Sequence, residues 1–168
     1  MRRIGLLVTI LTAVFYFGCG DSNYRTAETS EQTPAAGGEV NILQSWRGDY
    51  PVVQLNLLPE EQREQAVGFI GDSEIFAGVW KAFKPGEAVP EIDFKANLVL
   101  FVRNTQFYNR ISIGKVNVTN GAAALLAMET MSALPIEDKV AMSLVVVARE
   151  GITAIQSGNE IIPVKKNP

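Results

Sequence analysis

The side chains that most often carry catalysis or bind metal ions are scarce in this sequence. Its 168 residues include no histidine, and Cys19 is the only cysteine. Histidine is the commonest general base and transition-metal ligand, and cysteine is a nucleophile and a soft metal ligand. Serine–histidine, cysteine–histidine and zinc sites are therefore excluded. We expect a protein that is not an enzyme and that needs no metal and no cofactor.

Two carboxylates remain as candidates for acid–base chemistry. Glu91 and Asp93 are two residues apart, so their side chains would point the same way in an extended segment. Paired carboxylates serve glycosidases, but nothing else in the sequence supports that activity. Asp93 also follows a proline and precedes an apolar run, which favours a carboxylate that accepts main-chain N–H bonds in a turn. We interpret Asp93 as structural.

Cys19 lies at the end of a segment that has the plan of a secretory signal. A cationic start, Arg2-Arg3, precedes an apolar stretch of about fourteen residues, whereas roughly twenty are needed to span a bilayer. The ending Tyr16-Phe17-Gly18-Cys19 resembles the lipobox of bacterial lipoproteins, which implies that residues 1–18 are a signal peptide and that Cys19 is lipidated. The alternative is a simple signal peptide with an incidental cysteine. An exported lone thiol is a liability unless it is modified, which favours lipidation.

The remainder divides into a tether and one folded domain. Residues 19–39 comprise the cysteine and a polar stretch that could bury no apolar surface, and residues 40–168 have the length of one domain. Loss of the signal leaves 13 basic and 18 acidic residues, which argues against a nucleic-acid partner. Gly20 stands where aspartate often signals inner-membrane retention. We therefore expect the lipid to anchor the protein to the outer membrane, facing the periplasm.

One helix is predicted within the folded domain. Asp72 or Ser73 can cap its first turn, and Pro85-Gly86 would end it. Apolar residues spaced three or four apart form a stripe that is typical of a helix packed on a core: Ile75, Phe76, Val79, Trp80 and Phe83. We interpret this stripe as core packing. Ligand stacking by Trp80 is the alternative.

The rest of the domain is predicted to be β-rich. The expected strands are 40–46, 50–57, 98–102, 110–119, 122–131, 140–148, 152–155 and 160–164. Alanine, leucine and methionine in 122–131 also favour a helix, and the turn before this segment is the reason to predict a strand. A bulge at Gly114 would bring Ile111, Ile113, Val116 and Val118 onto one face. Asn120-Gly121 predicts a tight hairpin turn. These elements predict an α+β, β-rich domain, either a small antiparallel β-sandwich or a partly open barrel, with one packed helix.

Arg47-Gly48-Asp49 separates the first two predicted strands. The tripeptide is an integrin-binding sequence in unrelated proteins. Here its position between two short β-like segments predicts a hairpin turn, with integrin-type binding as the alternative.

Several segments of the second half follow the pattern of a known family. They are Trp80, Pro90-Glu91-Ile92-Asp93-Phe94, the strand 98–102, Ile111-x-Ile113-x-x-Val116, Pro135 and Val145–Val147, in this order. Over roughly residues 75–165 the sequence resembles the C-terminal domain of PrcB-type protease-complex accessory subunits, which are small secreted or lipid-anchored bacterial domains. The resemblance implies a non-catalytic accessory role beside another exported protein. We expect its motif residues Trp80, Pro90, Asp93 and Phe94 to be structural.

The best candidate for a binding surface is the segment 104–110. It is polar, yet it contains two aromatic residues and an arginine, types that are enriched at interface hot spots: Phe107, Tyr108, Asn109 and Arg110. An ordinary hairpin loop is the alternative. We expect a lipid-anchored envelope domain that binds or helps to assemble another exported protein. The alternative is a periplasmic module that binds a small ligand or glycan in a cleft beside Trp80.

These two functions predict different surfaces. A ligand module should show an enclosed pocket in which polar groups converge. A protein-binding module should show a flat patch of exposed aromatic side chains instead.

Overall fold

The computed structural model describes residues 37–104, 110–130 and 137–165. Within these ranges the chain forms nine strands and one α-helix, together with two short 3-10 helices at Val52–Leu57 and Glu60–Gln62. In chain order the elements are β1 (Gly37–Val40), β2 (Ile42–Pro51), β3 (Val67–Ile70), α1 (Ser73–Phe83), β4 (Asn97–Arg103), β5 (Arg110–Thr119), β6 (Ala122–Thr130), β7 (Lys139–Ala148), β8 (Ala154–Ser157) and β9 (Glu160–Pro163).

The described strands form two sheets. One has four strands in the order β2-β7-β4-β3, and the other has five in the order β1-β5-β6-β8-β9. Neighbouring strands are antiparallel, except that β6 and β8 pair in parallel over three residues, from Ala122 with Ala154 to Ala124 with Gln156. The prediction of a β-rich α+β domain with one packed helix is confirmed, and of the two predicted arrangements the structure fits the sandwich.

Strand β7 explains how the layers are arranged. Its residues from Val140 to Val147 are all buried, as expected of a strand that is covered on both faces. Val145 and Val147 pack against the inner face of the five-stranded sheet, whereas Leu144 and Val146 pack on the side of the helix. The four-stranded sheet is therefore the middle layer, with α1 on one face and the second sheet on the other.

Helix α1 begins and ends where the sequence predicts. The Asp72 carboxylate accepts hydrogen bonds from the N–H groups of Glu74 (2.8 Å) and Ile75 (3.0 Å), which satisfies two free donors of the first turn. The main-chain N–H of Lys84 closes the last turn on the Trp80 carbonyl oxygen at 2.7 Å. The apolar stripe is buried except for Ile75, which lies exposed at its margin: Phe76, Val79, Trp80 and Phe83.

The β5–β6 hairpin contains the predicted bulge and turn. The register between the two strands shifts between Ile113 and Lys115, on either side of Gly114. The shift allows Ile111, Ile113 and Val116 to be buried together. At the turn, Asn120 and Gly121 both have positive φ, 52° and 81°, which is typical of a two-residue hairpin turn whose twist matches the strands.

The prediction of a turn at Arg47-Gly48-Asp49 is wrong. Strand β2 continues through the tripeptide, which pairs with Ser143, Met142 and Ala141 of β7. The ten-residue β7 offers a partner along the whole of β2, and the ladder of main-chain hydrogen bonds outweighs the turn preference of glycine and aspartate. The strand ends at Pro51 instead. The predicted strand 50–57 is also wrong, since Val52–Leu57 is a 3-10 helix.

The start of the sheet differs from the expected tether boundary. Gly37–Glu39, which were predicted to be part of the tether, belong to β1 and pair with residues 117–119 of β5.

Candidate functional site

Two of the four family-motif residues, Trp80 and Phe94, lie in the core between the helix and the four-stranded sheet. Trp80 is 2% exposed, and its ring lies edge-on to Trp46, with centroids 5.0 Å apart. Phe94 is buried against Phe76 at a centroid distance of 5.7 Å, and Phe76 contacts Trp80 in turn at 5.8 Å. The structure therefore brings Trp80 and Phe94 together as packing residues, and the core interpretation of the apolar stripe is confirmed.

Asp93 organises the turn before β4. Its carboxylate Oδ1 accepts the main-chain N–H of Lys95 at 2.9 Å, and its carbonyl oxygen accepts those of Ala96 and Asn97. The interpretation of Asp93 as an acceptor of main-chain hydrogen bonds is confirmed. Pro90 lies half-buried on the approach to this turn, and Glu91 is exposed.

Two surface grooves are candidates for a ligand site. The first has a volume of about 280 Å³ and is lined by Gly71, Asp72, Ser73, Ile92, Asp93, Phe94 and Lys95. Its two carboxylates already cap the helix and the turn. The second has a volume of about 380 Å³ and is lined by Gly48, Asp49, Pro51, Ala82, Phe83, Lys84, Pro85 and Lys139. Trp80 lines neither groove, so the expected cleft beside it finds no support in these two.

Three buried polar side chains hold strands and loops together, and no sequence pattern indicates their roles. Gln62 Oε1 accepts the main-chain N–H of Phe69 at 2.6 Å. Ser143 Oγ accepts from the N–H of Ile113 at 3.3 Å and donates to the Trp46 carbonyl oxygen at 3.1 Å, linking β5, β7 and β2. The Arg103 guanidinium donates to the Arg63 carbonyl oxygen. Burial lowers the pKa of Arg103, and the charge of Glu64 opposes this effect.

The candidate binding segment is described only at its ends. Phe107, Tyr108 and Asn109 lie outside the described residues, whereas Arg110 is the first residue of β5 and is exposed. Because Ile111 points into the core, Arg110 and Ser112 lie on the opposite, outer face of the sheet. The Arg110 carbonyl oxygen accepts a hydrogen bond from Thr130 Oγ1 at 3.5 Å, at the far end of the hairpin.

An apolar surface lies beside Arg110 on this outer face. Met128 is paired with Ser112 and Leu126 with Lys115, and the two apolar side chains are 66% and 61% exposed. We call the set Arg110, Ser112, Lys115, Leu126 and Met128 the outer patch. Lys115 Nζ also forms an ion pair of 2.8 Å with Glu39 of β1. The outer patch therefore combines two exposed aliphatic side chains with a cation on either side.

No protein-family model, curated protein or solved structure matches this chain. The resemblance to PrcB-type accessory subunits stays a prediction.

Two further findings concern metals and membranes. Among the residues that the structure describes, no group of three histidine, cysteine, aspartate or glutamate side chains is arranged to hold a metal ion. No helix in the described ranges is long and apolar enough to cross a bilayer. Cys19 and the predicted signal segment lie outside those ranges.

Proposed function

We propose that this chain is a lipid-anchored accessory domain of the cell envelope, without catalytic activity, that binds another exported protein. The observation that carries the proposal is the outer patch. Leu126 and Met128 point away from the core although each could pack inside one. Contiguous exposed apolar side chains with a polar rim mark sites of protein–protein contact. The patch is aliphatic rather than aromatic, which differs from the surface expected from the sequence.

The outer patch is held on a firm framework. Strand β6 pairs with β5 along its whole length, so main-chain hydrogen bonds to β5 fix the backbone under Leu126 and Met128, whereas the pairing with β8 is limited to Ala122–Ala124. A partner would meet preformed positions and would not have to order the strand, which lowers the entropy lost on binding. Methionine adds an unbranched, polarizable side chain that adapts to an irregular partner surface.

Arg110 links the outer patch to the candidate loop. It begins β5 immediately after Phe107, Tyr108 and Asn109, and its side chain lies on the same face as Met128. A partner that covers Met128 would therefore lie beside the guanidinium, which can donate to acidic or carbonyl groups. In this proposal the outer patch is a binding surface, and Phe107, Tyr108 and Asn109 directly precede its residue Arg110 in the sequence.

The anchor in this proposal is lipid on Cys19 after removal of residues 1–18, with the outer membrane as the favoured location. The chain from Cys19 to Gly37 can span at most about 60 Å. This length would let the folded domain reach a partner that is not itself embedded next to the lipid.

Crosslinking in intact cells tests both parts of the proposal. We expect Leu126→Ser with Met128→Ser, and separately Tyr108→Ala with Arg110→Ala, to lower the recovery of crosslinked partners several-fold, since each double variant removes residues that this proposal assigns to binding. The control is Ile161→Ser, an exposed aliphatic residue on β9 of the same sheet, which should leave recovery unchanged. Stability should shift by less than about 0.5 kcal/mol in the Tyr108/Arg110 variant. Wild-type recovery from both double variants would refute the binding surface.

The same cells test the anchor. We expect Cys19→Ala to abolish incorporation of labelled palmitate and to leave the unprocessed precursor. Palmitate incorporation by the variant, or free solubility of the wild-type chain, would refute lipidation without bearing on the outer patch.

A further inference from the structure

Among the strands that the structure describes, the longest one at a sheet edge has no neighbouring strand on one side. Strand β2 has ten residues, whereas β1, β3 and β9, the other strands at sheet edges, have four each. In the part of the chain that the structure describes, β7 is the only strand that neighbours β2 within its sheet. Long edge strands are templates for pairing with another chain, and proteins usually shorten them or place proline or lysine within them. Between residues 44 and 50, β2 contains neither.

The hydrogen bonding fixes which residues of β2 face the open side. The main-chain N–H of Val52 donates to the Asp138 carbonyl oxygen at 3.0 Å, directly after the pairing of Pro51 with Lys139. In an antiparallel ladder, residues alternate between pairs that exchange hydrogen bonds and pairs that do not. Tyr50, Gly48 and Trp46 therefore bond to β7. The N–H and C=O groups of Asp49, Arg47 and Ser45 point to the open side.

The residues whose main-chain groups point to the open side carry charges that complement those of a second copy of β2 when the two strands are paired about Gly48. When two copies of β2 run antiparallel about a two-fold axis at Gly48, Arg47 of each copy lies opposite Asp49 of the other, and both residues present outward main-chain groups. A neighbouring axis at Arg47 would place two arginines opposite each other, and an axis at Asp49 would pair two aspartates. Opposite charges across a strand pair are stabilising and like charges are destabilising. The charges therefore select one register.

The ends of the strand add apolar surface to the same register. Leu43 is 56% exposed near the beginning of β2, and Val53 is 85% exposed just after its end. The axis at Gly48 places the beginning of β2 in one copy beside the end of β2 in the other, so Leu43 of one copy and Val53 of the other lie at the same end of the paired strands. Both residues lie outside the regular ladder, because Leu43 is at the register shift and Val53 is on the 3-10 helix that follows the strand.

We infer that two copies of this chain associate through antiparallel pairing of their β2 strands about Gly48, which joins the two four-stranded sheets into one. The interface is isologous, because each copy contributes the same strand, and it closes at two copies. The outer patch lies on the other sheet and stays open in this arrangement. The inference is independent of the proposed function.

Charge exchange tests the register. In the full chain, purified from membranes in detergent and studied by sedimentation velocity, we expect Arg47→Asp or Asp49→Arg alone to weaken dimerisation about tenfold, because each opposes like charges twice. The double exchange, Arg47→Asp with Asp49→Arg, should restore the wild-type constant. A mixture of the two single variants should form heterodimers, since every opposed pair is then unlike. A monomeric wild-type chain, or a double variant as weak as the singles, would overturn the inference.

A disulfide crosslink supplies a second measurement. Gly48→Cys places one thiol on the axis, and the closest atom to the added Cβ is Phe83 Cε2 at 3.4 Å, an ordinary contact. Pairs that do not exchange hydrogen bonds have Cα atoms about 4.5 Å apart, which allows a disulfide. We expect Gly48→Cys to form a covalent dimer on mild oxidation. The control Ser45→Cys lies on the same edge but off the axis and should crosslink no more than the wild type, which has only Cys19. Equal crosslinking of the two variants would contradict the register.

Discussion

Two apolar layers on opposite faces of the four-stranded sheet are built from different residues. The layer under the helix, here the aromatic layer, contains seven aromatic side chains: Trp46, Tyr50, Phe76, Trp80, Phe83, Phe94 and Phe101. The layer between the sheets, here the aliphatic layer, consists mostly of branched residues on strands: Leu98, Leu100, Val145, Val147, Ile111, Ile113, Val116 and Ile155. Branched side chains suit the regular pleat of paired strands. Large rings fill the uneven space between a helix, irregular segments and a sheet.

This difference indicates where function can reside. Trp80 and Phe94, the most conspicuous residues of the family motif, lie inside the aromatic layer and contact each other through Phe76. Both side chains are buried in core packing and therefore do not form a binding surface. The aliphatic layer buries only the inner face of β5 and β6, so it fixes the outer face of the same strands in place while leaving Leu126 and Met128 exposed.

The largest expected effect is in the aromatic layer. Trp80 is 2% exposed and contacts the rings of Trp46, Phe76 and Phe83, so Trp80→Ala should lower the free energy of unfolding by about 4 kcal/mol. Trp80→Phe should cost less, because a ring remains and the buried indole N–H, which has no hydrogen-bond partner in the described structure, is removed. In the aliphatic layer, Ile113→Val should cost about 1 kcal/mol. Denaturant unfolding of the three variants measures these values, and equal losses for Trp80→Ala and Ile113→Val would refute the distinction between the layers.

Features that depend on neighbouring residues were predictable from the sequence. The Asp72 cap, the bulge at Gly114 and the Asn120-Gly121 turn each need only a few adjacent residues. Arg47-Gly48-Asp49 was mispredicted because its conformation is decided by β7, whose pairing residues lie some hundred positions along the chain. Local turn preference carries no information about such a partner.

The outer patch could not be assigned from the sequence for a similar reason. Residues of β6 alternate between two faces, and both faces carry apolar side chains, with Ala123 buried and Leu126 exposed. Only the position of the second sheet decides which face is covered. The role of buried Ser143 could not be predicted from the sequence either, because it depends on hydrogen bonds to two residues that are distant in the chain, Trp46 and Ile113.

A smaller loss of stability is expected from a substitution at Gly68 of β3, whose backbone lies close to a ring of the aromatic layer. A Cβ added to Gly68 of β3 would lie 2.5 Å from Phe101 Cζ and would also meet Gln62 Oε1, which accepts the Phe69 N–H. Overpacking and the disturbed hydrogen bond should make Gly68→Ala less stable by about 3 kcal/mol. The control is Gly114→Ala at the bulge, where the nearest atom to the added Cβ is 3.8 Å away, and it should be nearly neutral. Thermal unfolding that gave equal shifts for both alanines would show that β3 moves to accommodate the methyl group.

The smallest expected effect appears only in alkaline solution and is also specific to the aromatic layer. Burial raises the pKa of Tyr50 to about 12 from its usual 10, and the neutral hydroxyl donates to the Gln54 carbonyl oxygen at 2.9 Å. The pKa of the Tyr50 hydroxyl is higher in the folded state than in the unfolded state. Between these two pKa values Tyr50 is therefore still protonated in the folded chain but ionised in the unfolded chain. The resulting stabilisation is complete below pH 10 and is lost as the pH rises toward 12, by about 2 kcal/mol in total.

Tyr50→Phe isolates this contribution, because every other titrating group is the same in both chains. At pH 7 the variant should be about 1 kcal/mol less stable, since the hydrogen bond to Gln54 is lost. Between pH 10 and pH 12 the wild-type chain should lose about 2 kcal/mol more than the variant, so their order of stability reverses. Urea unfolding at pH 7, 10 and 12 measures the difference. Parallel pH profiles would mean that the Tyr50 hydroxyl ionises as readily in the folded chain as in the unfolded one, and that the aromatic layer admits water at this strand.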